Sequence, residues 1–189
     1  MIRHLVLMSK ASRIGRVKTR LAKDIGFVKA WNFHRLNLFS TALRLNQPGW
    51  VSHLCVSPDN ACQAPRQWPK FWNRIPQGGG NLGDRMLKPW KTLSPGPVVI
   101  IGSDIPNIQP QDITDAFKAL ANNDFVFGPC PDGGFWLIGA KRRPTVTDPF
   151  QGVRWSTEHA LKDTLENLPK GTKIAFIKEL SDVDTGADL

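Results

Sequence analysis

The run Pro97-Val-Val-Ile-Ile-Gly102 is short, continuous and β-branched, with no polar residue to give it a wet side. A strand of that kind must be covered on both faces, as in parallel sheets flanked by helices. His4–Met8 (HLVLM) has the same character. Further strand signals fall at Trp50–Ser57, Trp72–Pro76, Asp124–Gly128, Phe135–Gly139 and Thr172–Lys178. Helical stretches lie between them. Phe27–Leu45 groups Ala30, Trp31, Leu38, Ala42 and Leu45 near one face, and Pro110–Asn122 carries proline at a favourable first position. Leu82–Leu93 has helical composition, but Pro89 predicts a kink or break. Ser156–Leu168 reads as a helix capped by Ser156 or Thr157. Residues 58–70, rich in Pro, Gln and Asn, read as a surface connection. This alternation predicts an α/β sandwich with a mainly parallel sheet. Ligands of such sheets bind beyond the carboxyl ends of the strands, so the loops there are the place to look for chemistry.

The 189 residues suit one compact domain spanning 1–189, and 41% hydrophobic with 22% charged residues is globular composition rather than disorder. No apolar run approaches the roughly 20 residues a membrane helix needs. Leu5–Met8 is also too short for a signal-peptide core, so a cytoplasmic protein is expected. Cys55, Cys62 and Cys130 are an odd count without metal-like spacing, which implies neither a disulfide framework nor a zinc site. No local motif pairs any of them with a histidine as a nucleophile.

The net charge of +9 is localised. Residues 1–50 hold ten Lys/Arg and one acid, Asp24, while the rest of the chain holds fifteen of each sign. Six basic residues fall between Lys10 and Lys23, directly after the first strand. So local a cluster suits a small anionic ligand, phosphate above all, better than the extended face of a nucleic acid. In Lys10-Ala-Ser-Arg-Ile-Gly-Arg-Val-Lys-Thr-Arg-Leu21, Gly15 lets the backbone turn closely, and Arg13, Arg16, Lys18 and Arg20 supply donors matched to phosphate oxygens. The Walker pattern is not present.

Asp104, in Gly102-Ser-Asp-Ile-Pro106, stands at the end of the strongest strand, facing the crevice where phosphates would sit. A lone carboxylate there adds repulsion unless a divalent cation lies between, the usual arrangement for Mg²⁺. An acidic tail with Glu179, Asp182, Asp184 and Asp188 follows the last strand and can return to the crevice to supply a second ligand. Asp132-Gly-Gly-Phe-Trp136 lies between two strands, where it also reads as an ordinary tight turn. Gly78-x-Gly80-x-x-Gly83 formally matches a dinucleotide fingerprint, with Asp104 following 21 residues past Gly83. That NAD-binding reading leaves the basic loop unexplained.

Six motifs run in order along nearly the whole chain. They are Gly15-Arg-Val-Lys-Thr-Arg-Leu21, Gly80-Asn-Leu-Gly-Asp-Arg-Met86, Ile101-Gly-Ser-Asp-Ile-Pro106, Gly128-Pro-Cys-Pro-Asp-Gly-Gly-Phe-Trp-Leu-Ile-Gly139, Trp155-Ser-Thr157 and Asp182-Val-Asp-Thr-Gly-Ala-Asp-Leu189. Together they resemble a bacterial family of GT-A-like, nucleotide-diphospho-sugar-transferase-like proteins. That family is similar in fold to molybdenum-cofactor and phospholactate guanylyltransferases. The resemblance implies a three-layer α/β/α sandwich with a mainly parallel mixed sheet of the GT-A-like kind. It implies nucleotide phosphates on Gly15, Arg16, Lys18 and Arg20, with Gly83 counted among the nucleotide-binding positions. It also implies Mg²⁺ or Mn²⁺ on Asp104 and Asp184 (or Asp182), and an acceptor facing Asp132. The chain departs from the family at Asn81, where an aspartate is common, and at Ser12-Arg13-Ile14, where a proline usually precedes the glycine.

These readings converge on a metal-dependent transferase that uses an activated nucleotide, either a nucleotide sugar or a nucleoside triphosphate, with an unknown small-molecule acceptor. Asp104, Lys18 and Asp132 are its expected catalytic residues. The rival readings are a non-catalytic nucleotide-binding or interaction protein, the NAD-binding protein above, and a nucleic-acid binder using the basic first quarter.

Overall fold

The computed structural model describes residues 1–64, 66–142 and 147–189. The strands are β1 (His4–Lys10), β2 (Val51–Ser57), β3 (Asn73–Pro76), β4 (Val98–Gly102), β5 (Phe125–Pro129), β6 (Phe135–Ala140) and β7 (Ile174–Phe176). They form one sheet in the order β3-β2-β1-β4-β6-β5-β7. All neighbours pair parallel except that β6 runs antiparallel to both β4 and β5.

Alternate strand residues face opposite layers, which is why the strands read as unbroken apolar runs. Leu5 and Leu7 of β1, with Val99 and Ile101 of β4, pack under helices α2 (Phe27–Arg44) and α4 (Pro110–Asn122) through Leu38, Ala42, Ile113 and Phe117. Val6 and Ile100 point the other way, against α3 (Leu82–Thr92) and α5 (Ala160–Glu166), where Met86, Leu87 and Trp90 meet Phe127 and Ile138. The short helix α1 (Leu21–Ile25) buries Leu21 and Ala22 against Ala30 of α2 and Val183 of the tail. The result is the expected three-layer α/β/α sandwich. The chain runs from β1 outwards to β2 and β3, then restarts on the other side of β1 with β4. That reversal opens a crevice beyond the carboxyl ends of β1 and β4, where Met8 pairs with Gly102. No helix among the described residues is long and apolar enough to cross a membrane.

Four local expectations need correction. Pro89 does not break α3, which runs through it to Thr92. Proline removes one intrahelical bond, and the helix end is held instead by Arg142, whose guanidinium donates to the carbonyls of Trp90, Leu93, Ser94 and Gly96. The final helix starts at Ala160, not at Ser156, because Ser156 has φ +61 and the next turn is irregular; His159, not Ser156 or Thr157, precedes it. Helix α1 occupies residues that read only as the end of the basic loop. The stretch 58–70, whose position 65 lies outside the described residues, is more than a surface connection. It holds a 3-10 turn, Asp59–Gln63, and buries Trp68, whose indole N–H donates to the Ala61 carbonyl at 2.7 Å.

Candidate functional site

Beyond β1 the chain turns through Gly15 at φ +74, and Lys18 then takes φ +47, a left-handed conformation that non-glycine residues seldom adopt. Holding Lys18 there costs on the order of 1 kcal/mol, which the rest of the site must offset. Its side chain is only 3% exposed, and Nζ lies 3.1 Å from Asp104 Oδ2 and 3.1 Å from Asp184 Oδ1. Arg20 Nη1 reaches the other oxygen of Asp184 at 3.0 Å. The basic loop, the loop after β4 and the acidic tail therefore meet at one ammonium.

Each arm of this triad is fixed from behind. The tail is fastened by the Val183 N–H donating to the Asp104 carbonyl at 3.2 Å and by Trp136 Nε1 donating to the Lys178 carbonyl at 3.0 Å. Asp188 closes the turn, its Oδ2 accepting from the N–H groups of Asp184 and Thr185 and from the Thr185 hydroxyl. Gly186 N–H reaches back to Asp24 at 2.8 Å. The loop after β4 is held by a polar seam on α2. Asn37 Nδ2 donates to the Ser103 carbonyl at 2.7 Å and Arg44 Nη2 to the Pro106 carbonyl at 2.6 Å. One turn before Asn37, buried His34 contacts the Ser12 hydroxyl at 2.9 Å. Burial pushes the His34 imidazole below its ordinary range, with smaller opposing influences from Asp104, which raises it, and Lys18, which lowers it.

Two cavities open on either side of the triad and share Met8, Leu82, Asp104 and Ser156 as their common wall. One, of about 550 Å³, is lined by Lys10, Arg16, Lys18 and Thr19, with His34 behind. The other, of about 330 Å³, has apolar walls and is lined by Asp104, Asp132, Asp182 and Asp184. Burial raises the Asp182 carboxyl above the usual range; Asp184 and Asp132 add to this, while Lys18 opposes it. The Cys130 thiol in the same cavity is pushed up to about 12, by burial first and then by Asp132, Asp182 and Glu179. Cys130 is thus a neutral thiol and no nucleophile.

The structure brings together Lys18, Asp104 and Asp184, and sets Arg16 and Asp132 in the adjoining cavities. Asp182 lines the acidic cavity, but no three His, Cys, Asp or Glu side chains cluster as a metal cage among the described residues. Asp132 also serves its turn, Oδ1 accepting from the Gly134 N–H at 2.9 Å. The turn needs Gly133, at φ +81, because a Cβ there would lie 2.1 Å from the Glu158 carbonyl oxygen. Arg13 and Gly15 are exposed and line neither cavity, and Arg20 is engaged with Asp184. Gly83 is explained by packing, since a Cβ there would meet Phe150 Cβ at 2.5 Å and Trp155 Cζ2 at 3.0 Å.

The Gly78–Gly83 stretch precedes α3, but that helix start is already capped. Asn81 Oδ1 accepts from the Asp84 N–H, and Asp84 Oδ2 accepts from the Asn81 N–H. Sequence reasoning missed His34 and Asn37. The signal was there in the polar spacing His34, Asn37, Thr41, Arg44 along one side of α2. Trp155, singled out only by its neighbours, packs on Phe135 and Phe150 beside the acidic cavity. Arg154 anchors that segment by a two-pronged contact with Asp163, at 2.9 and 2.7 Å, which holds the Asp163 carboxyl well below the usual range.

A solved structure from Desulfovibrio desulfuricans G20, provisionally named a nucleotide-diphospho-sugar transferase, superposes with a TM-score of 0.87 at 28% identity. The match covers 98% of this chain and 84% of that one. The CMP:2-keto-3-deoxy-manno-octonic acid synthetase, solved with CTP, matches at TM-score 0.57 and 14% identity over 99% and 95% of the two chains. Rv0371c from Mycobacterium tuberculosis H37Rv, solved with manganese, matches at 0.54 and 12% over 99% and 95%. The fold is therefore the GT-A-like, nucleotide-diphospho-sugar-transferase type. No curated protein sequence matches the chain. Residues 41–157, which include Asp104, Asp132 and Trp155, match the model of a family described as an uncharacterized protein conserved in bacteria (DUF2064), and the chain belongs to that family.

Proposed function

We propose that residues 1–189 act as one transferase domain that takes an activated nucleotide, with its phosphates in the basic cavity and the reacting partner in the acidic one. The observation that carries this reading is the convergence of Asp104 and Asp184 on a single cation, with Lys18 lining the basic cavity, Asp184 the acidic one and Asp104 both. Lys10, Arg16 and Lys18 supply positive charge to the phosphate side, and the arginine can grip phosphate oxygens in two-pronged fashion.

The same two carboxylates fit a divalent cation. They already hold a positive charge between them, they are oxygen donors, and two carboxylates plus substrate phosphates is the usual Mg²⁺ arrangement. Such an ion, Mg²⁺ or Mn²⁺, would supply stabilisation of the charge that builds on the phosphates as the leaving group departs. Asp104 and Asp184 would hold it, and Asn37 and Asp188 would keep those two carboxylates in register through the backbone. Lys18 adds a fixed charge toward the departing phosphate. In glycosyl transfer, an acceptor hydroxyl oxygen bonds to the sugar carbon as the carbon–oxygen bond to phosphate breaks. The nucleoside diphosphate leaves with the electron pair, and the hydroxyl proton passes to a base, a role open to Asp132. In nucleotidyl transfer, an acceptor phosphate oxygen bonds to the α-phosphorus and pyrophosphate leaves.

The test is a thermal-shift panel of nucleoside triphosphates, nucleoside diphosphate sugars and NAD, each with and without Mg²⁺ or Mn²⁺. A ligand that binds only the native state raises the melting point by mass action, so no substrate need be guessed. Stabilisation by one nucleotide class that requires the metal and is lost in Lys18→Ala supports the reading. A response to NAD alone sinks it in favour of the glycine run. No response to any nucleotide leaves a non-catalytic interaction protein.

A further inference from the structure

The two cavities differ in charge more sharply than a single substrate of uniform chemistry would require. The basic one carries Lys10, Arg16 and Lys18 against one carboxylate, Asp104. The second is lined by four carboxylates and by no lysine or arginine. Asp104 and Asp184 are paired with Lys18 and Arg20, whereas Asp132 and Asp182 have no ion-pair partner among the described residues.

The remaining walls are apolar and aromatic. Ile100 and Ile138 line it together with Phe135 and Trp155, whose rings meet edge to face with centroids 6.2 Å apart. The indole N–H of Trp155 is buried with no hydrogen-bond partner among the described residues, although the ring borders the cavity. At about 330 Å³ the space is at the small end of ligand sites, enough for a ring and its substituents.

We infer that the acidic cavity takes a hydroxylated ring of zero or positive charge, a neutral or amino sugar, and excludes rings that carry a carboxylate or phosphate. Apolar and aromatic walls cover the carbon faces of such a ring. The unpaired carboxylates of Asp132 and Asp182 accept from its hydroxyl or ammonium groups. An anionic substituent meets two carboxylates, Asp132 and Asp182, that have no ion-pair partner among the described residues, and at the effective dielectric of a partly open site one such contact weakens binding about tenfold. The inference rests on the nucleotide reading of the neighbouring cavity. It deepens that reading by disfavouring a phosphate-bearing acceptor, and with it nucleotidyl transfer to a phosphate.

Calorimetry with ADP, CDP, GDP and UDP in the presence of Mn²⁺ first identifies the base. The hexose, amino-hexose and hexuronate conjugates of that nucleoside diphosphate are then compared. The expected result is that the hexuronate conjugate binds at least about tenfold more weakly than the hexose conjugate, with the amino-hexose conjugate at least as tight as the hexose. Asp132→Asn keeps the oxygen that accepts from Gly134 and removes the charge. It should bring the hexuronate and hexose affinities together while leaving that of the bare diphosphate unchanged. Asp182→Asn serves as a second variant should the first fail to fold. Equal wild-type affinity for hexose and hexuronate, or discrimination that both variants leave intact, overturns the inference while the nucleotide reading stands. If no nucleoside diphosphate binds, the inference falls; if no nucleoside triphosphate binds either, the nucleotide reading falls with it.

Discussion

The two ends of the sheet handle buried polarity in opposite ways. At the amino ends of β1, β2 and β4, His4 Nδ1 lies 3.1 Å from His53 Nε2, and His4 Nε2 lies 3.2 Å from the Ser94 hydroxyl. Nearby, Arg142 spends its guanidinium on four backbone carbonyls. Apart from the Arg142 guanidinium, whose partners are all backbone carbonyls, the groups there are neutral side chains bonded to one another. At the carboxyl ends, charge meets charge, and Lys18, Asp104 and Asp184 border cavities large enough for a ligand. Substitutions at the closed end should therefore change stability and spare binding, while those at the open end should do the reverse.

The largest effect is expected at the open end. Asp104→Asn keeps the shape of the side chain and removes the charge that meets Lys18. Turnover of the nucleotide substrate should fall by about 100-fold or more, with the melting point nearly unchanged because Asp104 is 43% exposed. Turnover equal to wild type would break the comparison at its centre. Arg142→Ala is the matching change at the closed end. It strips hydrogen bonds from four carbonyls at the end of α3 and should cost on the order of 3 kcal/mol in denaturant unfolding. Nucleotide affinity of the remaining folded protein should not change. A loss of affinity with no loss of stability would show that the two ends are not separable.

The histidine pair adds a pH dependence with a definite sign. Burial, then His4, lowers His53 to about 4, and burial, then Arg142, lowers His4. Both are neutral in the folded state and protonate near 6.5 when the chain unfolds. The unfolded state therefore binds more protons below about pH 6.5. Stability is complete above that pH and declines as pH falls towards about 4, by at most about 3 kcal/mol for His53. His34 at the open end shares the direction, so the measurement is unfolding free energy against pH for wild type and His53→Asn. The variant should flatten the slope; an unchanged slope would assign the acid sensitivity to the crevice instead.

How much of this was legible in the sequence follows the same division. The layers were legible because strands buried on both faces leave a strong signature, and Pro97–Gly102 and His4–Met8 sit close to the observed β4 and β1. The position of Asp104 at the crevice was legible because it closely follows the strongest strand signal, whereas its contact with Lys18 was not. The partnership of Lys18 with Asp184 spans 166 positions and depends on a left-handed backbone at a non-glycine residue, which no local pattern announces. Helix α1 was hidden because it is only five residues long, LAKDI, too short for an apolar stripe to repeat along it. The start of α5 was misread because Arg154 and Asp163 hold the preceding segment in an irregular turn, so that a good cap sequence is used elsewhere. The helix through Pro89 survives because a residue distant in sequence, Arg142, caps its end.

The smallest predicted effect falls on the seam that joins the two behaviours. Asn37 is buried on α2, donates to the Ser103 carbonyl at 2.7 Å, and touches neither phosphates nor acceptor by our reading. It also accepts from the Thr41 hydroxyl at 3.4 Å, the weaker of its two bonds. Asn37→Ala leaves the Ser103 carbonyl without its partner one residue before Asp104, and should cost about 1–2 kcal/mol of stability. If the seam only stabilises, activity per folded molecule should match wild type. If it also positions Asp104, the affinity for Mn²⁺ should fall severalfold, since the carboxylate would then be held less firmly against Lys18 and Asp184. Asn37→Asp separates these cases, because it keeps the size of the side chain but turns the donor into an acceptor facing the Ser103 carbonyl. Loss of Mn²⁺ affinity in both variants would make Asn37 a positioning residue, an element of the open end built from the kind of neutral, backbone-directed hydrogen bond that characterises the closed one.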